Sequence, residues 1–339
     1  MKAFGVHHYD DGGLIELSVP APPRPAADEV QLGPYGTSMN PIDGLLAKGY
    51  GAPLFNPKGR FPVILGRDAV ARVVAVGKGV RGLESGQRVL VACSPRTGGT
   101  WAERFNVPLR CVTPLDDQRL TDITAAGLGY AGITALQALA AVNLDATRAA
   151  GARLCINGAS GGVGSIVLAL AATWGAKVTA VASSPHHDWL RSLAPCTPVD
   201  YRDRDALSAI QADIVINLAP GNDPMLDLLH TSPANYRAYA TTVTPLLSEI
   251  TDKGTLKGLA SGGALLMGKR FRLARHGIRY RWVVFKESAR DLATLAGFFA
   301  RHPHIDPVSQ RLAQKHLPDA TNGTGENIAP HGKTVFLKP

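Results

Sequence analysis

The chain has few cysteines and no C-x-x-C pair: Cys93, Cys111, Cys155 and Cys196 lie far apart. That scatter excludes a disulfide framework and points to a reducing compartment, with the cytoplasm expected. No apolar run is long enough to cross a bilayer, and Met1-Lys2-Ala3-Phe4-Gly5-Val6 lacks the charged and apolar regions of a secretory leader. Internal repeats and low-complexity tracts are missing as well. Charged residues make up 19% of the 339 and hydrophobic ones 45%, the balance of a globular chain with room for two domains. The net charge of +9 favours anionic partners. Acidic residues are absent from Lys253 to Lys286, where nine Lys or Arg stand. Such a stretch is either a solvated basic face or a surface for a phosphate-rich cofactor, substrate or nucleic acid.

What is present is organised around Arg153 to Ser184. Leu154-Cys155-Ile156 is an apolar run suited to a buried parallel strand, followed by Gly158-Ala159-Ser160-Gly161-Gly162-Val163-Gly164. Ile166 to Trp174 is helical in pattern, Gly175 ends that helix, and Lys177 to Ala182 is a second strand. A glycine turn inside a βαβ unit of about 30 residues is the context of a dinucleotide site. Glycine permits the tight turn and a close pyrophosphate, which then sits on the free N–H groups at the positive end of a helix. An NAD site places a carboxylate about 20 residues on, against the ribose 2′-hydroxyl. Here the strand ends in Ala182-Ser183-Ser184-Pro185-His186-His187, with Arg191 nearby and no acid before Asp188. Those side chains accept a 2′-phosphate that a carboxylate would repel, so NADPH is expected over NADH.

Taken in order, residues 1–33 alternate around turns at Asp11-Gly12-Gly13 and Pro20 to Pro25, a hairpin followed by a strand at Glu29 to Leu32. Asn40 is placed to cap a short helix with Pro41 at its first position. Gly49 to Arg60 is expected to be an exposed loop, and the short strands up to Pro114 predict a small barrel-like β domain. Thr121 to Asn143 is helical. From Arg153 onward, strands at 153–157, 177–183, Asp213 to Leu218, Arg237 to Val243 and Tyr280 to Phe285 alternate with helices, the pattern of a doubly wound parallel sheet. Leu246 to Phe271 is expected to be a loop forming part of a pocket wall. Lys286 to Arg301 is a further helix, and Gly332 to Leu337 a terminal strand.

Four segments together resemble the medium-chain dehydrogenase/reductase superfamily in its zinc-free quinone oxidoreductase branch: Asn40-Pro41-Ile42-Asp43, Phe61 to Asp68, Gly158 to Gly164, and Gly332-Lys333-Thr334-Val335. Gly49-Tyr50-Gly51-Ala52, Val243-Thr244-Pro245 and Tyr280-Arg281-Trp282 are similar to its reticulon-4-interacting protein 1 group. The resemblance implies an α/β protein with a GroES-like β domain over 1–121, a Rossmann NADPH-binding domain over 122–286, and a return over 287–339 that completes the first domain. It implies a cofactor set of Thr134, Ser160, Gly161, Gly162, Val163, Ser183, Ser184, Tyr201, Asn217, Thr244, Tyr280, Trp282 and Lys333, and a homodimer formed through the last sheet strand. The chain departs from the pattern at Asn217-Leu218-Ala219-Pro220-Gly221, where the family has an Asp and a Val-Gly pair. It departs again over 310–331, irregular around Asn322-Gly323-Thr324-Gly325 where the family has a short helix.

Zinc members of the superfamily use a Cys and a Gly-His-Glu where this chain reads Met39-Asn40 and Gly66-Arg67-Asp68. Cys93 to Gly99 stands in place of a four-cysteine lobe, so no metal is expected. The pairs His7-His8, His186-His187 and His302/His304 are read as surface or capping histidines rather than ligands. Without a Lewis acid, reduction of an already polarised acceptor is favoured over oxidation of a simple alcohol. The expected activity is transfer of hydride from NADPH to a quinone or an α,β-unsaturated carbonyl. An enoyl-thioester reductase is the second reading, and a non-catalytic nucleotide- or RNA-binding protein the third. The resemblance carries the catalytic roles to Asn40, Asp43 and Tyr50, with Arg67 as an electrostatic partner. Against these stand a helix cap at Asn40, a structural Asp43–Arg67 pair and a loop anchor at Tyr50.

Overall fold

The change of hydrophobic period after Pro114 becomes two kinds of sheet in the computed structural model, which describes residues 1–9, 13–220, 226–318 and 331–338. The first part runs β1 (Lys2–Val6), β2 (Ile15–Ser18), β3 (Glu29–Ser38), α1 (Pro41–Ala47), α2 (Ala52–Phe55), β4 (Val63–Ile64), β5 (Asp68–Val76), β6 (Arg88–Ala92), β7 (Phe105–Pro108), β8 (Val112–Pro114) and α3 (Asp122–Ala141). The middle alternates β9 (Arg153–Asn157), α4 (Gly162–Thr173), β10 (Lys177–Val181), α5 (His187–Leu193), β11 (Thr197–Val199), α6 (Arg204–Ser208), β12 (Ile214–Asn217), α7 (Asp227–Thr231) and β13 (Arg237–Thr241). It ends with α8 (Leu246–Lys253), α9 (Thr255–Ala274) and β14 (Ile278–Trp282). Then α10 (Ala289–Arg301), β15 (Val308–Ala313) and β16 (Lys333–Leu337) return the chain to the first sheet.

Contacts divide the chain into Met1–Ile133 with Phe285–Pro339, and Thr134–Val284. One division therefore falls inside α3 rather than before Asp122, and the other two residues earlier than the expected 286/287. In the first unit a seven-stranded sheet is ordered β15-β16-β3-β5-β6-β8, with β7 also on β3, beside a three-stranded sheet β2-β1-β4. Antiparallel strands with one buried face need alternating apolar residues, and Val30, Leu32, Val73, Val89, Val91 and Phe105 fill the core between them. The expected N-terminal hairpin is present as the β1–β2 pair, Lys2 opposite Ser18. Its Asp11 and Gly12 lie outside the described residues, as do Asn322 to Gly325. The second unit is a parallel sheet ordered β11-β10-β9-β12-β13-β14. Leu154, Cys155 and Ile156 are fully buried in β9, as a strand covered on both faces requires.

Three expectations are corrected. Leu246 to Phe271 is not a loop but α8 and most of α9. Its glycines are contact points: a Cβ at Gly258 would lie 2.4 Å from Ile250 Cα, and one at Gly262 2.8 Å from Leu246 Cδ1, so their absence lets the two helices meet. Gly49 to Arg60 is not wholly exposed, since α2 forms within it and residues 52–56 are half-buried. Helix α3 meets the length and hydropathy of a bilayer span, yet 72% of its most apolar window is buried inside the protein, the state of a core helix.

The βαβ unit closes tightly. A Cβ on Gly164 would stand 2.2 Å from the Gly158 carbonyl oxygen, so α4 rides directly on the turn. Gly164→Ala is expected to lower stability by about 1–3 kcal/mol, whereas Gly268→Ala, with nothing within 4 Å, is neutral or mildly stabilising. Urea unfolding of the two variants checks this, and equal effects would contradict the packing argument.

Candidate active site

In the parallel sheet, the registers Val181–Asn157, Asn157–Asn217, Asn217–Thr241 and Thr241–Trp282 align the carboxyl ends of five strands in one row. Ligands of open α/β sheets bind outside this edge. The turn after β9 is built for it. Gly158 has φ +82°, a left-handed conformation that favours glycine, and the Gly158 and Ala159 N–H groups both donate to Val181 O at 3.1 Å. The first bond one helical turn back runs from Ser165 N to Gly161 O at 2.9 Å. The N–H groups of Gly162, Val163 and Gly164 precede it and have no such carbonyl, an anion cradle at the positive end of α4. Asn217 is buried at the end of β12, where its Oδ1 accepts from Asn157 Nδ2 at 2.8 Å and from Ala219 N at 3.3 Å. It thereby ties the irregular Asn217–Pro220 segment to the glycine turn.

Ser183 and Ser184 follow β10 as expected, and Tyr201 follows β11 with half of its surface exposed. Arg202 lies 5.2 Å over the Tyr201 ring. The fold also brings in Asp200, whose Oδ2 accepts from Ser184 N at 2.9 Å and whose Oδ1 accepts from Arg202 N at 2.9 Å. These backbone donors hold its carboxyl below the usual range. Arg191 points to Asp188, 2.8 Å away, and His187 Nε2 lies 3.2 Å from Ala182 O, so neither side chain is turned to Ser183. Thr244 sits just past β13, and Thr134 is buried within α3. Tyr280, expected among the cofactor residues, has its side chain in the core of the sheet. Two residues short of the strand end, it is buried, stacked on Tyr239 at 5.5 Å, and its hydroxyl accepts from Trp282 Nε1 at 3.0 Å.

The first unit gathers a second set. Asp43 in α1, Arg67, Asp68 at the head of β5 and Lys333 at the head of β16 are all buried, with Asn40 among them. Asp68 accepts from Ser38 N and Oγ at 3.2 and 2.8 Å, from Asn40 Nδ2 at 3.2 Å and from Tyr130 N at 3.0 Å. Lys333 Nζ donates to Asn40 Oδ1 and Met39 O, both at 2.7 Å. Asp43 accepts from Asn40 N at 3.0 Å and Gly66 N at 3.2 Å, and stands 3.4 Å from Arg67 Nε. Arg67 Nη1 donates to Ser94 O at 3.1 Å. Asn40 is thus both the N-cap position of α1 and a bridge between an ammonium and a carboxylate. Tyr50 stands apart from this set. It is half-buried, and its hydroxyl makes no hydrogen bond among the described residues.

Residues 26–117 match the alcohol dehydrogenase GroES-like domain. Over 325 residues, 91% of this chain and 81% of the relative, the sequence is 30% identical to the mitochondrial NAD(P)H oxidoreductase RTN4IP1 of Bos taurus. Over 231 residues, 65% of this chain and 69% of the relative, it is 35% identical to the chloroplast envelope quinone oxidoreductase homolog of Arabidopsis thaliana. The chain belongs to the medium-chain dehydrogenase/reductase superfamily, as a quinone oxidoreductase-like member. The solved quinone oxidoreductase of Coxiella burnetii shares its fold, with a TM-score of 0.78 at 21% identity, covering 100% of this chain and 99% of that one. As a member of this superfamily the protein is an oxidoreductase.

Sequence reasoning missed several buried features of this oxidoreductase. Asp68 is one, and Tyr130 another: its ring stacks on Phe285 at 4.1 Å, and burial pushes its phenol well up. The signal was an aromatic set between Gly129 and Gly132 in an otherwise small-residue helix. Glu287 is a third. It accepts from Ser94 N at 2.9 Å, from Thr97 Oγ1 and from Arg110 Nε at 2.7 Å, and so pins the 93–99 segment. Burial alone would raise its carboxyl, but these donors hold it down at about 2. Burial pushes the Asp43 carboxyl up to about 6 from the usual 3.8, against the pull of Arg67. Because the folded value is the higher one, ionised Asp43 weighs against the fold increasingly as pH rises from about 4 through 6. Removing Arg67 raises the folded value further. Arg67→Met is therefore expected to lose about 3–5 kcal/mol above about pH 7 and to recover much of it toward pH 4. Urea unfolding across that range tests it, and a deficit independent of pH would sink the argument.

Proposed function

We propose that this oxidoreductase uses NADPH, without zinc, to deliver hydride to a quinone or an α,β-unsaturated carbonyl. The observation that carries the reading is the carboxyl edge of the parallel sheet: an open helix N-terminus beside a β10 whose own end bears Ser183 and Ser184 rather than an acid. Asp200 is the carboxylate close by, and both of its oxygens are engaged by backbone N–H groups, with Arg202 beside it. A nicotinamide nucleotide held here supplies the hydride. Ser160, Gly161, Gly162 and Val163 would hold its pyrophosphate on the α4 amides. Ser183, Ser184 and Tyr201 would hold the 2′-phosphate, and Asn217, Thr244 and Trp282 would line the row of strand ends.

The buried set in the first unit supports the zinc-independent part. Where zinc relatives place ligands, this chain places the Arg67 guanidinium and, on Asn40, the Lys333 ammonium, which carry protons and no lone pair to give. The work left to the protein is to orient the acceptor and meet the charge that develops on its oxygen. Tyr50 offers a hydroxyl for this, and Asn40 an N–H beyond the one given to Asp68. Asp43 acts as a positioning residue, since its oxygens are engaged with Asn40, Gly66 and Arg67. The relatives named as quinone oxidoreductases support the acceptor class. A homodimer belongs to the same proposal, because β14 is the outer strand of its sheet.

Initial rates with NADPH and NADH, against one quinone, one simple enone and one enoyl-CoA with and without chelator, test the reading. Chelator-insensitive, NADPH-preferring turnover of the quinone or enone is expected. Much faster enoyl-CoA turnover would reassign the protein as a thioester reductase, and nucleotide binding without any turnover would overturn the enzyme reading. Ser183→Asp sets a negative charge where the 2′-phosphate would lie. It is expected to lower kcat/KM for NADPH relative to NADH at least tenfold, about 1.4 kcal/mol. An unchanged cofactor ratio would reject this location for the 2′-phosphate.

A further inference from the structure

Among the described residues, five of the eleven exposed large apolar side chains lie on one helix, α9. Leu256 is 84% exposed, Phe271 64% and Met267 60%, with Leu259 and Leu265 also open. At about 100° per residue, Leu256, Leu259, Met267 and Phe271 fall on one stripe, with Ala260 and Gly263 between them. The opposite side of the helix is already used, since Gly258, Gly262 and Leu273 are buried, the two glycines against α8. The stripe therefore faces outward from the unit that carries it.

Its rim is cationic. Lys257, Arg272 and Arg275 are exposed, and the Arg275 guanidinium lies 4.6 Å over the Phe271 ring. Of the 36 Lys and Arg in the chain, nine lie in 253–286 with no acid, which leaves 27 against 27 Asp and Glu elsewhere. This stretch thus accounts for the whole net charge of +9. A cleft of about 450 Å³ between α9 and β14 joins Met267 and Phe271 to Arg270, Arg279 and Arg281. Among the described residues no carboxylate pairs with these three arginines. Burial, then Arg270 and Arg279, holds the Arg281 guanidinium below its ordinary value. Apolar and cationic groups are thus mixed on one face with no counter-charge.

We propose that α9 and the basic cleft beside it dock this protein on an anionic lipid bilayer, the apolar stripe entering the boundary of headgroups and acyl chains and the arginines meeting lipid phosphates. Charge complementarity selects this occupant. A second copy laid stripe to stripe would set Lys257, Arg272 and Arg275 against their own equivalents. RNA would use the cations but has no place for exposed Leu256, Leu259 and Met267, because bases stack on aromatic and guanidinium planes. The 20-residue helix lies along the surface rather than through it, since its other face is packed within the protein.

Co-sedimentation of the full chain with phosphatidylcholine vesicles, with and without phosphatidylglycerol, tests this. Binding is expected only to the anionic vesicles and is expected to fall as salt rises. The triple variant Leu256→Ser, Met267→Ser, Phe271→Ser is expected to bind at least about tenfold more weakly. The pair Arg272→Gln, Arg275→Gln is expected to lose about 30-fold on the anionic vesicles. Both should keep wild-type circular dichroism and nicotinamide-nucleotide binding, and the conservative arginine pair keeps the test open if the triple variant misfolds. Absent or lipid-indifferent binding would overturn the proposal. So would a triple variant that still binds vesicles as wild type while a dimer falls to monomers in sedimentation velocity, or tight RNA binding without vesicle binding.

Discussion

Asp43, Arg67, Asp68 and Lys333 come from three distant stretches of chain and are buried together as two acids and two bases. An isolated buried ion forfeits several kcal/mol of hydration, so the set is tolerable as a neutral whole in which most donors and acceptors are bonded, with Arg67 Nε held 3.4 Å from Asp43 by charge rather than by a hydrogen bond. That condition reaches outward. Lys333 can meet Asn40 only if β16 lies on β3 with Val335 opposite Ser38, and a slip of one residue would turn the ammonium to the other face. Asp68 in turn binds Ser38 from β3 and the Tyr130 amide from α3. The charge set thereby fixes the register of the returning C-terminal strand and the placement of the helix that leads out of the first unit.

The second unit is governed by a different constraint, the alignment of parallel strand ends. Because the registers are in step, Asn157, Asn217, Thr241 and Trp282 reach the edge together, while Tyr280, Tyr239 and Cys155 remain one side-chain pair inside. Gly164 brings α4 against the turn, so its amide groups open at that same edge. In the proposed function, backbone groups would supply the anion site, and the side chains around it would tune which nucleotide fits. Asp200 illustrates the limit of counting charges along the sequence. It lies 16 residues after Ser184 in the chain and yet bonds to its amide.

What was legible followed from local rules. The βαβ unit, the capped start of α1 and the terminal strand could be read because their apolar periods and glycines act on near neighbours. Tyr280 could not be placed, since its word looks like a ligand motif and only the strand register shows that it stops short of the edge. Helix α9 read as a loop because Gly258 and Gly262 answer to α8, a contact that propensity does not see. Tyr130 was hidden in a helix apolar on all sides, where no face stands out. The buried charge set escaped as a set because its members are separated by up to 290 positions, from Asp43 to Lys333. Asp43 alone offers a duller explanation, a pair with Arg67, and the two do stand in contact, while Lys333 reads with the cofactor set and Asp68 only as part of a lost zinc motif.

The distribution of charge separates the two roles of the second unit. Around the turn after β10, Arg191 is matched by Asp188 and Arg202 sits beside Asp200, so a 2′-phosphate there would be met by hydroxyls and local geometry more than by excess charge. Arg270, Arg279 and Arg281, which pair with no carboxylate among the described residues, lie at the opposite edge. From β10 to β14 the sheet takes four strand steps, about 19 Å at the usual spacing, and the Debye length at physiological salt is about 8 Å. Charges exposed on α9 and β14 are therefore screened from a phosphate bound beside β10. Nucleotide binding beside β10 does not explain why seven of the nine cations of 253–286 lie on α9, β14 and the turn between them, and the proposed anion at the α9 face does.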